Sequence, residues 1–182
     1  NLNNMGAFPW NNDDTPYRSS PKLSMTIVLD GTVFLSSDTS FKWAPSPITF
    51  DDIRCGEYYD ARLEQPGWNE PGFDDSSWQN VIEAEKPKGE PKICKAEPIA
   101  CIQEIYPISK TVSDGRLLFD FGINTAGVCR LKYKGQPGRK ITIRHAEALV
   151  GGTFYNRNIH SPDFDGNLAQ TDILICSGNE DV

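Results

Sequence analysis

The stretch that decides the fold spans residues 117–149 and reads LLFDFGINTAGVCRLKYKGQPGRKITIRHAEAL. Apolar and polar residues alternate in 128–134 and again in 140–146. A period of two predicts strands that have one buried face and one solvated face. The glycines and the proline of 135–138 favour a turn between these two strands. The stretch therefore predicts an antiparallel hairpin.

The outer face of this predicted hairpin is cationic, and its members are Arg130, Lys132, Lys134, Lys140 and Arg144. One interpretation is a solvated sheet surface, where charge also discourages pairing with other chains. The alternative is an interface formed by Arg130, Lys132, Lys134 and Arg144. Such an interface would attract an acidic neighbouring domain or an anionic polysaccharide, because clustered charge of one sign attracts the opposite sign.

Working outward, strand patterns recur along the whole chain, and no segment keeps a helical period over three turns. Residues 22–29 and 32–36 are predicted to pair around the turn signal Asp30-Gly31. Further strands are predicted at 40–43, 48–50, 54–63, 103–108, 153–158 and 170–177. Residues 83–98 are rich in Lys, Glu and Pro and favour a linker or an extended crossing strand.

These patterns predict an all-β protein built from antiparallel β-sandwich modules of jelly-roll or galactose-binding-like type. We expect two partial modules, residues 1–104 and residues 105–182. The length of 182 residues is sufficient to bury a core. The net charge of −7 disfavours nucleic acid as a partner, because binding phosphates requires a basic stripe. No apolar run is long enough for a membrane span, so no membrane partner is expected.

The cysteine pattern does not indicate a zinc site. The five cysteines include no CxxC pair, and the chain has only two histidines. Cys129 and Cys176 lie in apolar strand patterns, which predicts that both are buried. Cys94 and Cys101 lie in a proline-rich stretch and are candidates for a disulfide.

Near the start of the chain, an aromatic residue stands beside oxygen-bearing side chains. Trp10 is followed by Asn11, and then by Asn12, Asp13 and Asp14. Ca²⁺ takes carboxylate and amide oxygens, and a Trp ring offers a flat face to a sugar, so a Ca²⁺ or sugar loop is one interpretation. A solvated loop with Trp10 packed on the sandwich is the other, because the spacing fits no calcium loop.

A second aromatic cluster follows in residues 65–81. Asp74, Asp75 and Ser76 are expected to cap a single turn that directs Trp78 inward, and Trp68 is expected to pack nearby. Large aromatics are mostly buried, which favours the core. The alternative is an exposed sugar platform in which Trp68, or the adjacent pair Tyr58 and Tyr59, stacks on a glycan.

Two pairs of polar residues are spaced by two along predicted strands and therefore share a face. Asp60 and Arg62 are expected to form an ion pair. His145 and Glu147 form either a metal or acid/base pair, or a hydrogen-bonded polar pair at a strand end. Two ligands without a third rarely suffice for zinc, which favours the second interpretation.

Several motifs in order resemble the N-terminal β-sandwich region of bacterial α-L-rhamnosidases. They are GEYYDAR at 56–62, the GW and PGFDDSSW signals of 67–78, the pattern DFG-N-AG at 120–127, RHAEAL at 144–149, Asn158, and Thr171-Asp172. The resemblance covers residues 21–178. Ile123, Val128 and His160 depart from the family pattern, so no function is carried over to those positions.

The resemblance implies an enzyme in which several β-sandwich domains surround an (α/α)₆ catalytic barrel. The catalytic carboxylates of that family lie on the barrel, and this chain has no matching helical region or motif. We therefore expect a fragment of a larger rhamnosidase-like protein, inactive alone and without a required cofactor. Its partner would be the rest of that protein, which would be periplasmic, secreted or cytoplasmic in a bacterium.

The sequence is compatible with three functions. The chain is an accessory module of an α-L-rhamnosidase, a carbohydrate-binding module that binds rhamnose-containing glycans, or a structural or adhesion sandwich without sugar contact. A sandwich that lacks a strand exposes an open sheet edge. Self-association through such an edge is therefore expected of the fragment.

Overall fold

A computed structural model describes residues 22–52, 55–86, 89, 92–113, 115–159 and 170–181. The strands in these residues are β1 (Thr26–Leu29), β2 (Thr32–Ser36), β3 (Lys42–Trp43), β4 (Ile48–Asp52), β5 (Gly56–Asp60), β6 (Gln79–Asn80), β7 (Ser109–Ser113), β8 (Arg116–Asp120), β9 (Tyr133–Lys134), β10 (Lys140–Arg144), β11 (Ala148–Val150), β12 (Thr153–Tyr155), β13 (Thr171–Ile175) and β14 (Glu180–Asp181). Two short 3₁₀ helices span Ala61–Leu63 and Arg157–Ile159. No α-helix occurs in these ranges, and neither 3₁₀ helix is long and apolar enough to cross a membrane. The all-β prediction is confirmed.

The strands form one four-stranded sheet and several two-stranded ones. The four-stranded sheet has the order β10-β13-β5-β4, and the pairs β1-β2, β3-β6, β7-β8, β9-β14 and β11-β12 complete the described set. All pairs are antiparallel except β5 and β13, which run parallel. The predicted antiparallel sandwich is thus confirmed, with one parallel pair at its centre. The central sheet combines strands from both sides of residue 104.

The parallel pair depends on a close approach of two backbones. The Thr171 N–H donates to the Cys55 carbonyl at 2.6 Å, directly before β5 begins. Gly56 has a φ of +113°, and a Cβ placed on it would lie 2.5 Å from the Thr171 carbonyl oxygen. Glycine is therefore needed here both for its backbone conformation and for the space it leaves.

The buried residues cluster on this sheet. Among the described residues, the buried apolar side chains are Cys55, Ala61 and Cys176, and the buried polar ones are Asp52, Asp60 and Thr171. All six lie on β4, β5 and β13 or within one residue of their ends. The small core therefore coincides with the sheet that joins distant parts of the chain.

The hairpin predicted for 128–134 and 140–146 is wrong. β9 pairs with β14, and β10 pairs with β13 along its full length. The turn of Pro137–Gly138 leads the chain toward β13, since the Gly138 N–H donates to the Cys176 carbonyl at 2.8 Å and the Cys176 N–H donates to the Arg139 carbonyl at 2.9 Å. The alternation in β10 is nevertheless present, with Ile141 and Ile143 less exposed than their neighbours.

The predicted hairpin of 22–29 and 32–36 is confirmed as β1 and β2. Asp30 and Gly31 have φ values of 49° and 79°, the left-handed pair that a tight two-residue turn requires. Its side chains are exposed on both faces, including Phe34 at 68%. The strand predicted at 103–108 is not formed; pairing begins at Ser109 in β7.

Replacing Gly56 with alanine tests the close approach of β5 and β13. We expect Gly56→Ala to lower the free energy of unfolding by about 3 kcal/mol, from left-handed strain plus overlap with β13. Gly72 is the matched control, because its φ is +87° and a Cβ there meets nothing within 4 Å. Gly72→Ala should cost only about 1–2 kcal/mol in the same urea titration. Equal losses for the two variants would contradict the packing described for Gly56.

Candidate functional site

A histidine and an aspartate come into contact where β10 ends and the neighbouring strand β13 begins. Antiparallel register places Arg144 opposite Thr171, and the His145 N–H continues the ladder by donating to the Gln170 carbonyl at 3.1 Å. This brings His145 Nε2 to 2.9 Å from Asp172 Oδ2. Both side chains are about one-third exposed, so the pair lies at the surface of the sheet.

The other imidazole nitrogen faces a thiol. Cys129 Sγ lies 3.9 Å from His145 Nδ1, so the ring stands between a thiol and a carboxylate. Cys129 is exposed, and the prediction that it is buried is wrong. It precedes β9 in a segment that forms no strand. The matching prediction for Cys176 is confirmed, because that side chain is 0% exposed.

Asp172 also holds β5. Its Oδ1 accepts a hydrogen bond of 2.9 Å from the Glu57 N–H. One carboxylate therefore satisfies both the imidazole after β10 and the backbone of β5. The position of His145 is tied in this way to the parallel pair.

The electrostatics of this cluster follow from these contacts. The hydrogen bond that His145 donates to Asp172, with a smaller contribution from Cys129, raises the pKa of His145 from 6.5 to about 10. The same bond with His145 lowers the pKa of Asp172. Burial, followed by the nearby carboxylates of Asp51 and Asp172, raises the pKa of Glu57. At neutral pH the cluster is therefore an imidazolium held beside a carboxylate and a thiol.

The expected pairing of His145 with Glu147 is not formed. Glu147 instead accepts a hydrogen bond of 3.1 Å from the Asn158 side chain. The described part of the chain contains no group of three or more His, Cys, Asp or Glu side chains suited to a metal ion. Sequence reasoning missed Cys129 and Asp172 as partners of His145, because they lie 16 and 27 residues away. The Thr171-Asp172 motif was the one sequence feature that could have indicated Asp172 as a functional residue.

The predicted aromatic sugar site is only partly assembled. Trp68 is 63% exposed, so the expectation that it packs in the core is wrong. Trp78 does turn inward as expected: it is half-buried, its Nε1 donates to Gln65 Oε1 at 2.9 Å, and its ring lies 5.7 Å from that of Phe73.

The tyrosine pair of β5 is engaged within the sheet. Both rings are half-buried; Tyr58 lies 4.6 Å from the ring of Phe50, and the Tyr59 hydroxyl donates to Glu64 at 2.8 Å. A stacking role for these tyrosines stays a prediction. Trp10 and the candidate Ca²⁺ ligands Asn12, Asp13 and Asp14 lie outside the described residues.

The cationic residues do not share one hairpin face, because β9 and β10 belong to different sheets. Arg130 precedes β9 and pairs with Glu104 at 2.6 Å, while Lys134 lies in β9. Lys132 lies in the strandless segment, and Arg144 ends β10. Their role as an interface remains a prediction.

Two smaller expectations have clear outcomes. Asp60 and Arg62 do form an ion pair, with an N–O distance of 2.7 Å. The cause differs from strand alternation, because Asp60 caps the 3₁₀ helix Ala61–Leu63 and accepts from the Arg62 N–H at 3.1 Å. Cys94 and Cys101 are both free and exposed, so the candidate disulfide is not formed.

The sheets and their connections define a β-sandwich protein, and comparison with known sequences gives its family. Residues 3–103 match the family described as "Alpha-L-rhamnosidase N-terminal domain". Residues 110–182 match "Bacterial alpha-L-rhamnosidase concanavalin-like domain". The chain belongs to the α-L-rhamnosidase family, and the sequence resemblance is confirmed.

Individual relatives agree with this assignment. An alpha-L-rhamnosidase of Alteromonas sp. (strain LOR) is 36% identical over 155 residues, which are 82% of this chain and 17% of that protein. A second, from Streptomyces avermitilis, is 35% identical over 130 residues, or 70% of this chain and 13% of that protein. The chain thus spans between about an eighth and about a sixth of the length of these curated relatives.

Solved structures give the same result. The α-L-rhamnosidase of Dictyoglumus thermophilum superimposes with a TM-score of 0.72 at 35% identity, covering 83% of this chain and 17% of that one. The Streptomyces avermitilis enzyme, solved in complex with L-rhamnose, gives a TM-score of 0.70 at 34% identity, covering 84% and 15%.

The histidine–aspartate pair should give stability a distinct pH dependence. The pKa of His145 is raised from 6.5 to about 10, so its contribution is complete below about 6.5 and is lost as the pH rises through about 10. The lowered pKa of Asp172 gives a contribution present above 3.8 and lost as the pH falls further. Both contributions are present together at roughly pH 5–6, so Asp172→Asn should lower the free energy of unfolding most in that range. The loss should shrink as the pH rises toward about 10, where His145 becomes neutral.

Urea unfolding across this pH range measures the effect. Asp38→Asn is the control, because Asp38 accepts from the Ser40 N–H and hydroxyl at 2.8 and 2.6 Å and has no histidine partner within the described residues. Its effect should stay constant on the alkaline side. A constant effect of Asp172→Asn above neutral pH would contradict the ion pair.

Proposed function

We propose that this chain is a non-catalytic accessory β-sandwich portion of an α-L-rhamnosidase that hydrolyses terminal α-L-rhamnosyl residues of glycans or glycosides. The observation that carries the proposal is that the chain matches only 17% of its first relative, in regions described as N-terminal and concanavalin-like domains. The two matched ranges, 3–103 and 110–182, favour a division into modules at residues 1–104 and 105–182. The two modules would then share the four-stranded sheet, because β4 and β5 come from the first range and β10 and β13 from the second.

The pairing of the described carboxylates favours a non-catalytic role. Inverting glycoside hydrolysis needs an acid and a base carboxyl group about 6.5–9.5 Å apart around the bond that breaks. Several carboxylates here are instead paired with cations: Asp60 with Arg62, Asp75 with Lys42, Glu104 with Arg130, and Asp172 with His145. The family resemblance assigns catalysis to the helical barrel, which would belong to the rest of the enzyme.

The exposed apolar surface supports a docking role toward that remainder. In the β1–β2 hairpin, the cross-strand pairs Ile27–Leu35 and Val28–Val33 are exposed, and Phe34 is more exposed still. Large apolar side chains exposed together on one hairpin favour an interaction site. The proposed occupant is another domain of the same enzyme, because the relatives extend far beyond the matched region.

Reconstitution in trans tests this proposal. The purified chain should release no p-nitrophenol from p-nitrophenyl α-L-rhamnoside, yet bind the enzyme from which its 182 residues have been deleted. Phe34→Asp should weaken that binding roughly tenfold to a hundredfold, the value of one buried aromatic side chain. Thr32→Asp, with the same charge on the same strand, should weaken it less. Turnover by the isolated chain that scales with its concentration, or no binding at all, would overturn the proposal.

A carbohydrate-binding module is the second candidate, and the exposure of Trp68 favours it. Asn69 and Glu70 follow Trp68 and are also exposed, so polar groups stand near the open ring. Sugar sites combine an aromatic face with such groups. Calorimetry with L-rhamnose and rhamnosyl oligosaccharides should then show heat that Trp68→Ala abolishes and Trp43→Ala, at another exposed tryptophan, preserves. Absence of heat with the unaltered chain would exclude this candidate.

Self-association through a sheet edge stays a prediction. In the described residues, β4 and β10 are the outer strands of the four-stranded sheet. An outer strand presents unpaired N–H and C=O groups to another chain. Light scattering of the purified chain at increasing concentration measures whether such pairing occurs.

A further inference from the structure

The exposed thiol of Cys129 lies at one end of a line of polar contacts. Its Sγ is 3.9 Å from His145 Nδ1, and the opposite ring nitrogen is 2.9 Å from Asp172 Oδ2. The other oxygen of Asp172 accepts from the Glu57 N–H of β5 at 2.9 Å. The imidazole is therefore oriented by a carboxylate that the central sheet itself holds.

This order of groups is the one that activates a sulfur nucleophile. The thiolate is the reactive form of cysteine, and an adjacent imidazolium stabilises it. A third group that orients the imidazole completes the arrangement found around activated nucleophiles. We propose that Cys129 is a reactive thiol and a modification site for small disulfides and soft electrophiles, with His145 as its positioning residue and Asp172 as the residue that orients His145.

The elevated pKa of His145, about 10, agrees with this proposal, because it keeps the ring cationic beside the sulfur at neutral pH. Exposure of Cys129 gives a reagent access to the sulfur. The inference does not depend on the proposed accessory role, since it concerns only the chemistry of these three side chains.

The reaction with a small disulfide balances without a further oxidant. The Cys129 thiol loses its proton to solvent, because His145 is already protonated, and its thiolate attacks one sulfur of the disulfide. A new S–S bond joins Cys129 to that sulfur, and the S–S bond of the reagent breaks. The second sulfur leaves with the bonding electron pair and takes up a proton from solvent. One disulfide is consumed and one is formed.

The chain carries its own controls. Cys101 is also exposed, but among the described residues its thiol donates to the nearby Gln103 carbonyl, at 3.7 Å, and not to an imidazole. Cys55 and Cys176 are buried and report on unfolding. Trypsin places Cys129 in the peptide 117–130 and Cys101 in the peptide 96–110, with one cysteine in each, so the two rates can be read separately.

The test is competitive labelling of the full-length protein that carries this chain. With limiting 2,2′-dithiodipyridine near neutral pH, mass spectrometry of the unreduced peptides should show Cys129 reacting roughly ten times faster than Cys101, as expected for a thiol next to a cation. His145→Gln should bring the Cys129 rate close to that of Cys101 and leave Cys101 unchanged. Asp172→Asn, which keeps an oxygen for the Glu57 N–H, should slow Cys129 less.

Two results would overturn the proposal. One is a Cys129 rate equal to or below that of Cys101 in the unaltered protein. The other is a fast rate that persists in His145→Gln while Cys55 and Cys176 stay unlabelled. Labelling of those two buried cysteines in a variant shows that it has unfolded, and the decision then rests on the ratio of Cys129 to Cys101 in the unaltered protein.

Discussion

The parallel pairing of β5 with β13 is the constraint on which the described structure depends. It joins distant residues through two hydrogen bonds, one from the Glu57 N–H to Asp172, 115 positions away, and one from the Thr171 N–H to Cys55, 116 positions away. Closing so long a loop costs conformational entropy that local contacts do not recover. The pairing is therefore supported by what surrounds it: the small buried core, β4 and β10 on either side, and the space provided by Gly56.

The same pairing decides the chemistry of the surface above it. Asp172 belongs to β13, and its two oxygens divide between β5 and His145. A residue that closes the sheet thus also orients an imidazole and sets its charge. Asp172 therefore has both a structural and a chemical role. Loss of its carboxylate would alter both the β5–β13 contact and the surroundings of the Cys129 thiol.

The sequence predicted local features better than pairings. Asp30-Gly31 marks the β1–β2 turn because few residues adopt its backbone, and alternation marked the faces of β10 correctly. Alternation tells which side of a strand is buried but not which strand lies beside it. The prediction of a hairpin between residues 128–134 and 140–146 was therefore wrong. A parallel neighbour is less visible still, because no local turn connects β5 to β13.

The candidate site shows the same limit. His145 stood out in the sequence, but its partners come from other segments, and the neighbour at Glu147 was a misleading choice. Cys129 was predicted to be buried because its surroundings alternate like a strand, whereas that segment forms none. Two of the motifs that carried the family resemblance, GEYYDAR beginning at Gly56 and Thr171-Asp172, lie at the β5–β13 contact.

Hydrogen exchange of backbone amides, followed by mass spectrometry, tests the central role of this contact most directly. Amides of Gly56–Asp60 and Thr171–Ile175 should be the slowest to exchange and should open together, because each strand bonds the other. Residues 92–108, which form no strand, should exchange fast. Exchange of β5 and β13 as rapid as that of residues 92–108, or opening of β13 while β5 stays protected, would contradict the account.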